Sequence, residues 1–425
     1  MTVPTPRTTH PPLGRRLLAA RGPGLTEHHA RFGALPPHPA ENLIASLQAA
    51  GLTGRGGAGF PTGRKIASVT GGKPVVIGNG AEGEPLSGKD AALLTRAPHL
   101  VLDGLHAAAE AVGADTVYLY LPERVAPAVR SALAERVAAG LDERRVTVVE
   151  APEAFVSGEE SAVVRRIEGG PAIPRDRTRP TSICGVRGRP TLVNNVETLA
   201  HVALIARYGP RWFRSVGDAE EPGTMLITLS GALPHRGVTE LPTGAPLTEV
   251  LARGGLDDLR QVGAVLLGGY HGSWIATAAL TSVWLSRPGL AAVGASPGAG
   301  IVHLLPADQC GLARTADILA YLAEQGARQC GPCRNGLPRL AKLFDALAYQ
   351  RVDDELLDET DRMLGLVDGR GACRHPDGTV RLARSALNAF AGDLTEHQAG
   401  RCTAALVTAR TADRRGARPP TAGTA

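Results

Sequence analysis

The sequence predicts an α/β protein built in series: a Rossmann-like α/β domain, then a β-grasp (ubiquitin-like) domain, then a C-terminal helical bundle carrying a cysteine site. Three observations predict it. Strand and helix patterns alternate between Lys73 and Glu150, short β segments take over from Gly223, and helical periodicity dominates after Pro306 with three cysteines among the helices. A chain of 425 residues exceeds what one core serves, so several domains are expected. A hydrophobic share of 43% with 4% aromatics excludes wholesale disorder, and 52 glycines and 32 prolines supply turns.

Taken in order, residues 1–40 read as an irregular, proline-rich extension. Arg15-Arg16 could open an export signal, but the apolar run after it stops at Arg21, which argues for a cytoplasmic protein. The first domain is expected over 41–220. Its opening helix, ENLIASLQAAGL, runs into a glycine-rich loop, and the strands PVVIGN, TVYLYL and VTVVEA follow, separated by HLVLDGLHAAAEAVGA and APAVRSALAERVAAGL. That alternation requires a largely parallel sheet covered by helices. In 221–305, the strands MLITLSGAL and GVTELPTG precede the helix LTEVLARGG and the strand AVLLGG. The stretch Val262–Ser286 has no charge and nearly membrane-spanning length, but Gly268 to Ser273 break it with turn chemistry, so a buried strand, a loop and a helix are expected. TADILAYLAEQGA, LPRLAKLFDALAYQ, DELLDETDRMLGLV and VRLARSALNAFAGDL make the helical bundle of 306–405, and 406–425 read as a loose tail.

The formal charge of +5 is spread thinly, which gives no footprint for nucleic acid. Three of the four lysines, Lys65, Lys73 and Lys89, fall close together, where a compact ammonium is useful. Six cysteines without a paired pattern suit a reducing compartment and a metal site rather than disulfides.

Five short constellations can carry chemistry. Gly54 to Lys65 (GRGGAGFPTGRK) contains GxGxxG but follows a helix, not the strand that a dinucleotide fingerprint needs; alone it reads as a tight turn whose amides could also meet an anion or a flat ring. Asn79 to Pro85 (NGAEGEP), with Lys89-Asp90 behind it, follows a strand end, where α/β sheets bind ligands. Gly158-Glu159-Glu160-Ser161 and Asn194-Asn195 are read equally well as helix starts, since carboxylates and amides suit N-termini. Cys330-Gly331-Pro332-Cys333, with Cys373 further on, has the spacing of thiolates that share a metal or cluster, a redox dithiol being the alternative. Cys184, Cys310 and Cys402 read as packing residues.

In this order the motifs resemble the NADH-oxidising flavoprotein subunit of respiratory complex I, the family of NADH-quinone oxidoreductase F subunits, over roughly residues 41–404. The resemblance implies an NAD(P)H dehydrogenase whose first domain holds FMN. It implies that Gly54, Gly56, Lys65, Asn79, Glu82, Gly158, Glu159, Glu160, Asn194 and Asn195 line the FMN pocket, and that Phe60 and Glu84 face the NADH or NADPH substrate. Catalysis then rests on the cofactors, with no nucleophile from the protein. It further implies an iron–sulfur cluster, 4Fe–4S in the family, on Cys330, Cys333 and Cys373. Electrons would leave to a ferredoxin-like or other iron–sulfur protein, or to a quinone-linked membrane redox subunit holding the chain at the inner face of the membrane.

The departures matter too. Ala327 stands where the family has its first cluster cysteine, so a three-iron cluster or another metal stays open. Ser68 and Pro180 replace aromatics at the adenine end, and Ala81 an acidic residue; losing each aromatic contact forfeits roughly 0.5–1.5 kcal/mol. The divergent reading is a non-catalytic iron–sulfur scaffold that has lost competent nucleotide binding.

Overall fold

A computed structural model describes residues 15–37, 40–142, 144–176, 179–349, 352–402 and 404. The expected tail at 406–425 lies outside the described residues.

The first unit contains α1 (Leu25–Phe32), α2 (Ala40–Ala50), α3 (Thr62–Ala67), β1 (Val75–Asn79), α4 (Lys89–Arg96), α5 (Pro98–Val112), β2 (Thr116–Pro122), α6 (Ala126–Ala138), β3 (Val146–Ala151), α7 (Glu160–Ile167), β4 (Thr191–Asn195) and α8 (Val196–Phe213). The four strands are parallel in the order β3-β2-β1-β4. Val75, Val76 and Ile77 are wholly buried, as a parallel strand covered on both faces requires. The chain runs from β1 outward to β2 and β3, then returns to the other side of β1 as β4. That reversal creates a topological switch point, and open α/β sheets bind ligands in the crevice beyond the strand ends there. In register, Asn79 pairs with Asn195, so the two strand ends bearing motif residues are neighbours.

Close packing of α5 on α8 explains one glycine: a Cβ on Gly104 would collide with the Leu199 carbonyl oxygen. The irregular extension expected over 1–40 is only partly irregular. Residues 25–32 form α1, and Leu17 and Phe32 are buried. Arg16 is a structural residue, donating to the Phe213 carbonyl at 2.9 Å and lying 3.9 Å above the Trp212 ring. The buried Glu240 carboxylate accepts the backbone N–H groups of Arg16, Leu17 and Leu18, which fixes this segment.

The second unit contains β5 (Thr224–Gly231), β6 (Gly237–Pro242), α9 (Leu247–Arg253), β7 (Val262–Leu267), β8 (Ser273–Ala276), α10 (Arg287–Ala291) and β9 (Ile301–Pro306). Its sheet order is β6-β5-β9-β7-β8, with β5 parallel to β9 and the other pairs antiparallel. A hairpin, a helix and a last strand that returns beside the first make the β-grasp arrangement. The helix expected at the end of Val262–Ser286 is instead a second strand, β8, followed by a 3₁₀ turn. The turn at Gly268 and Gly269, both at positive φ, brings Trp274 back against Leu266 in antiparallel register.

The third unit is α11 (Gly311–Glu324), α12 (Leu337–Tyr349), α13 (Asp354–Val367), α14 (His375–Ala389) and α15 (Ala391–Gln398). Leu319, Leu340, Phe344, Leu364 and Leu382 meet in one core. Asp353 starts α13 by accepting the Leu356 N–H at 2.9 Å. No helix among the described residues is long and apolar enough to cross a membrane.

Candidate functional site

A cleft of about 580 Å³ opens at the carboxyl ends of β1 and β4 and is closed by the second and third units. Its wall includes Gly56, Asn79, Glu82, Glu84, Gly158, Glu159 and Asn195 from the sequence-predicted set, and Cys373 from the predicted cysteines. That size falls within the ~300–1,000 Å³ usual for cofactor and ligand sites.

Hydrogen bonds knit the separate motifs into one rim. Asn79 Nδ2 donates to the Gly158 carbonyl at 2.9 Å, joining the second motif to the third. Asn195 Nδ2 donates to Asp90 Oδ2 at 2.7 Å, joining the fourth to the second. Lys65 Nζ donates to Glu160 Oε1 at 3.0 Å and to the Val193 carbonyl at 2.6 Å, joining the first to the third and fourth. The glycine loop closes on itself through Gly54 N–H to the Phe60 carbonyl, 2.9 Å, with Gly57 and Gly59 at positive φ. Arg55 anchors that loop to the second unit, pairing with Glu221 at 2.8 Å while its own N–H donates to Thr198 Oγ1.

Several predicted residues do a helix-starting job. Glu82 accepts the Asp90 and Ala91 N–H groups at 3.0 and 3.2 Å, opening α4. Glu159 accepts Ser161 and Ala162 N–H to open α7, and Asn195 Oδ1 accepts Glu197 N–H to open α8. Three helix N-termini are thereby set at the rim with their positive ends supported by fixed acceptors. Asn194 is 5% exposed, and its Nδ2 has no partner among the described residues.

Phe60, Lys65, Gly54, Glu160 and Asn194 are not in the cleft wall itself. Phe60 is 51% exposed, with the Arg64 guanidinium 6.0 Å from its ring. Lys65 donates its ammonium to Glu160 and to the Val193 carbonyl. Ser68 donates to the Lys65 carbonyl, and Ala81 lies in the wall.

Glu84 is a strongly perturbed acid of the cleft wall. Burial raises its carboxyl from 4.5 to about 7, against the backbone N–H groups of Tyr270 and Leu86 and with Glu82 adding to the rise. Tyr270 N–H donates to Oε2 at 2.8 Å, while Oε1 has no partner among the described residues. Between pH 4.5 and 7 the folded state therefore holds the proton more tightly than the unfolded one, and stability falls as pH rises through that window.

The residues singled out for the pocket from sequence omit Lys89, Asp90, His271 and His375, all of which stand in this wall. Lys89 is 3% exposed and joins Asp90 and Glu197 at 2.7 and 2.9 Å. His271 and His375 face each other at 3.0 Å, and burial holds both below the usual imidazole range. The position of Lys89-Asp90 just after a strand-end loop is the one signal pointing to any of them.

Cys330 and Cys333 flank the turn before α12, and Cys373 stands just before α14. Arg328 N–H reaches Cys333 Sγ at 3.2 Å, an amide aimed at sulfur of the kind that supports thiolates bound to iron. Burial pushes the Cys333 and Cys373 thiols up, and the charge of each neighbouring cysteine adds to the rise. The mutual influence of Cys330, Cys333 and Cys373 puts the three thiols near one another. His375 is no spare ligand, since Nε2 bonds the Leu322 carbonyl at 2.8 Å and Nδ1 faces His271. Among the described residues, the trio close enough for one ion is Cys310, His397 and Cys402, whose two cysteines the sequence presents as packing residues.

Comparison with known proteins agrees with this geometry. Residues 47–204 match the Nuo51 FMN-binding domain, and residues 313–397 match the NADH-ubiquinone oxidoreductase-F iron–sulfur binding region. The chain is 31% identical over 382 residues to the NADH-quinone oxidoreductase F 2 subunit of Rhizobium meliloti, covering 86% of this chain and 90% of that one. It is 32% identical over 393 residues to the NADH-quinone oxidoreductase F subunit of Mycobacterium tuberculosis, covering 85% and 86%. The NADP-reducing hydrogenase subunit HndC of Solidesulfovibrio fructosivorans is 30% identical, with 84% and 76% covered. Among solved structures, a chain of the NAD+-reducing NiFe-hydrogenase in the H2-reduced state superposes with a TM-score of 0.78 at 29% identity, covering 91% of this chain and 69% of that one. The chain belongs to the family of NADH-quinone oxidoreductase F subunits.

Proposed function

We propose that this chain oxidises NADH or NADPH with FMN as its cofactor and delivers the electrons through an iron–sulfur centre to an iron–sulfur partner protein. The observation that carries this reading is the convergence of four motif segments on one cleft whose wall also holds Cys373. FMN, when bound, supplies the hydride acceptor and the change from two-electron to one-electron transfer. The residues present fit it. The glycine loop offers backbone amides, Asn79, Glu159 and Asn195 hold the rim rigid around it, and Asn194, behind the wall, keeps a buried Nδ2 without a partner among the described residues. In this reading Glu84, in the wall and close to Gly269, faces the nicotinamide nucleotide. Cys330, Cys333 and Cys373 would hold the cluster, and Cys373 reaches the cleft wall, which shortens the electron's path out. With Ala327 in place of a fourth thiolate, three cysteines are available. We also assign domains at 41–220, 221–305 and 306–405, in keeping with the separate sheets and the helical third unit. Partner attachment at a membrane belongs to the same reading.

The test is an anaerobic preparation assayed for FMN, iron and sulfide, then mixed with NADH or NADPH while flavin absorbance is followed. Bleaching by either nucleotide supports the dehydrogenase. Flavin that is present but stays oxidised with both favours the scaffold reading.

Glu84 gives a sharper expectation. Below pH 7 its carboxyl is mostly neutral; above it, a negative charge faces an anionic nucleotide. KM for the nucleotide should rise by about fivefold, roughly 1 kcal/mol, between pH 6 and 8. Glu84→Gln should flatten that rise, and steady-state kinetics across pH would show it; an unchanged slope in the variant removes Glu84 as its source.

A further inference from the structure

We propose that Cys310, His397 and Cys402 form a structural zinc site at the far end of the helical unit, separate from the cluster cysteines. The ligand atoms of the three side chains lie within 4.8 Å of one another. Cys310 Sγ is 3.8 Å from His397 Nε2. A tetrahedral zinc with bonds of about 2.3 Å to sulfur and 2.0–2.1 Å to nitrogen separates such ligand pairs by roughly 3.5–3.8 Å, so little movement is needed to close the site.

The histidine is oriented for it. Nδ1 lies 2.8 Å from the Leu347 carbonyl oxygen, which can only accept, so Nδ1 carries the proton and Nε2 presents its lone pair to the sulfurs. A ring nitrogen tied to a backbone carbonyl while the other faces the ion is the usual outer-shell arrangement of a zinc-binding histidine. His397 is 5% exposed and the two cysteines are half-buried, so the site is protected. Cys310 immediately precedes α11; burial pushes its thiol up to about 11, an increase that the N–H groups of Ala313 and Leu312 only partly offset, so it is the cation that would draw off the proton. Water would complete the coordination, and Asp393, one turn before His397 on α15, adds negative charge near both Cys310 and His397.

Binding releases the two thiol protons, and two thiolates with a neutral imidazole cancel the ion's charge, as a half-buried site demands. Zinc is favoured over a cluster because the ligand atoms are too close to surround several irons. Cys310 and Cys402 also lie outside the matched iron–sulfur region, 313–397, and His397 is its last residue. The ion would clamp the chain after α15 onto the start of α11 and the end of α12.

The test uses the full chain, purified without a metal-affinity tag, equilibrated with buffered free zinc and analysed for zinc and iron. About one zinc per chain is expected, reduced at least tenfold in Cys402→Ser and in His397→Gln, with iron unchanged. In Cys333→Ser the zinc should stay while iron falls. Titrating the unaltered chain, stripped of zinc but with its iron retained, with Co²⁺ should give thiolate-to-cobalt absorption, a measurement that needs no variant to fold. Absence of that absorption, zinc content equal in parent and Cys402→Ser, iron in place of zinc at this trio, or a Cys310–Cys402 disulfide found by mass spectrometry would each overturn the assignment.

Discussion

Asp103→Asn should cost about 3–5 kcal/mol, the range for breaking a buried ion network by removing one partner. Asp103 sits in α5 and is 3% exposed. It receives His28 Nε2 at 2.8 Å, Arg136 Nη1 at 2.7 Å and the Arg207 guanidinium, tying α1, α5, α6 and α8 together. Burial opposes its ionisation, but the His28 hydrogen bond and the charges of Arg207 and Arg136 outweigh that and hold its carboxyl well below the usual range. An amide keeps the shape and loses the charge. Arg136 retains Asp142, whereas Arg207 keeps two carbonyls and the His28 ring, none of them a carboxylate. Because the folded pKa is depressed, the carboxylate's contribution is complete above about pH 4 and is lost as pH falls further. Urea unfolding followed by fluorescence of Trp212, on the same helix as Arg207, should show a gap between parent and variant that is full at pH 7 and narrows below pH 4. A gap under 1 kcal/mol at pH 7 would mean that the arginines find other partners.

The strands of the first sheet are legible because parallel strands covered on both faces are continuous apolar runs; Val75–Asn79 and Val146–Ala151 agree with the sequence reading to within a residue. The misses share a cause. Helices α3 and α4 have six and eight residues, too short for periodicity to register, and α4 begins on an acceptor supplied by Glu82. Helix α14 starts at His375, five residues before the Val380 that the periodicity indicates, because Pro376 and Gly378 look like breakers. Pro376 is in fact at the first turn, where proline is tolerated, and Gly378 admits the His271 ring, into which a Cβ would run. Strand β8 is hidden by a glycine turn that looks like the end of order rather than the middle of a hairpin.

The site is legible as an ordered set of motifs and illegible as geometry. Each constellation alone has an ordinary reading, and for Glu159 and Asn195 that ordinary reading, a helix start, is physically correct as well, while Glu82, in a strand-end loop, proves to open a helix too. What no spacing rule carries is the bond from Asn195 to Asp90, 105 positions apart, or from Lys65 to Glu160. Cys310 and His397 are similarly remote in sequence, 87 positions apart, and only folding brings them together.

Lys89→Met should be comparably damaging, by about 3–5 kcal/mol, and should also empty the cleft. Burial works against the Lys89 charge, yet Asp90 and Glu197 hold the ammonium above its usual range. Glu197 is 1% exposed and its other oxygen accepts the Leu226 N–H at 2.9 Å, so this cluster joins the first unit to β5. Asp90 in turn holds Asn195 at the rim. A thioether fills the lysine's apolar path but leaves two carboxylates buried without their cation. Their protonation is then favoured in the folded state, so the variant should recover stability as pH falls from 7 towards 5, a higher window than the one in which the Asp103→Asn gap closes. FMN bound per chain, measured at both pH values, should follow the same recovery. Adding Glu197→Gln to Lys89→Met removes one of the two stranded charges and should restore roughly half of the lost stability. If the double variant is no more stable than the single one, the damage comes from packing against Gly300, whose Cβ position lies 3.2 Å from the lysine stem, and not from unpaired charge.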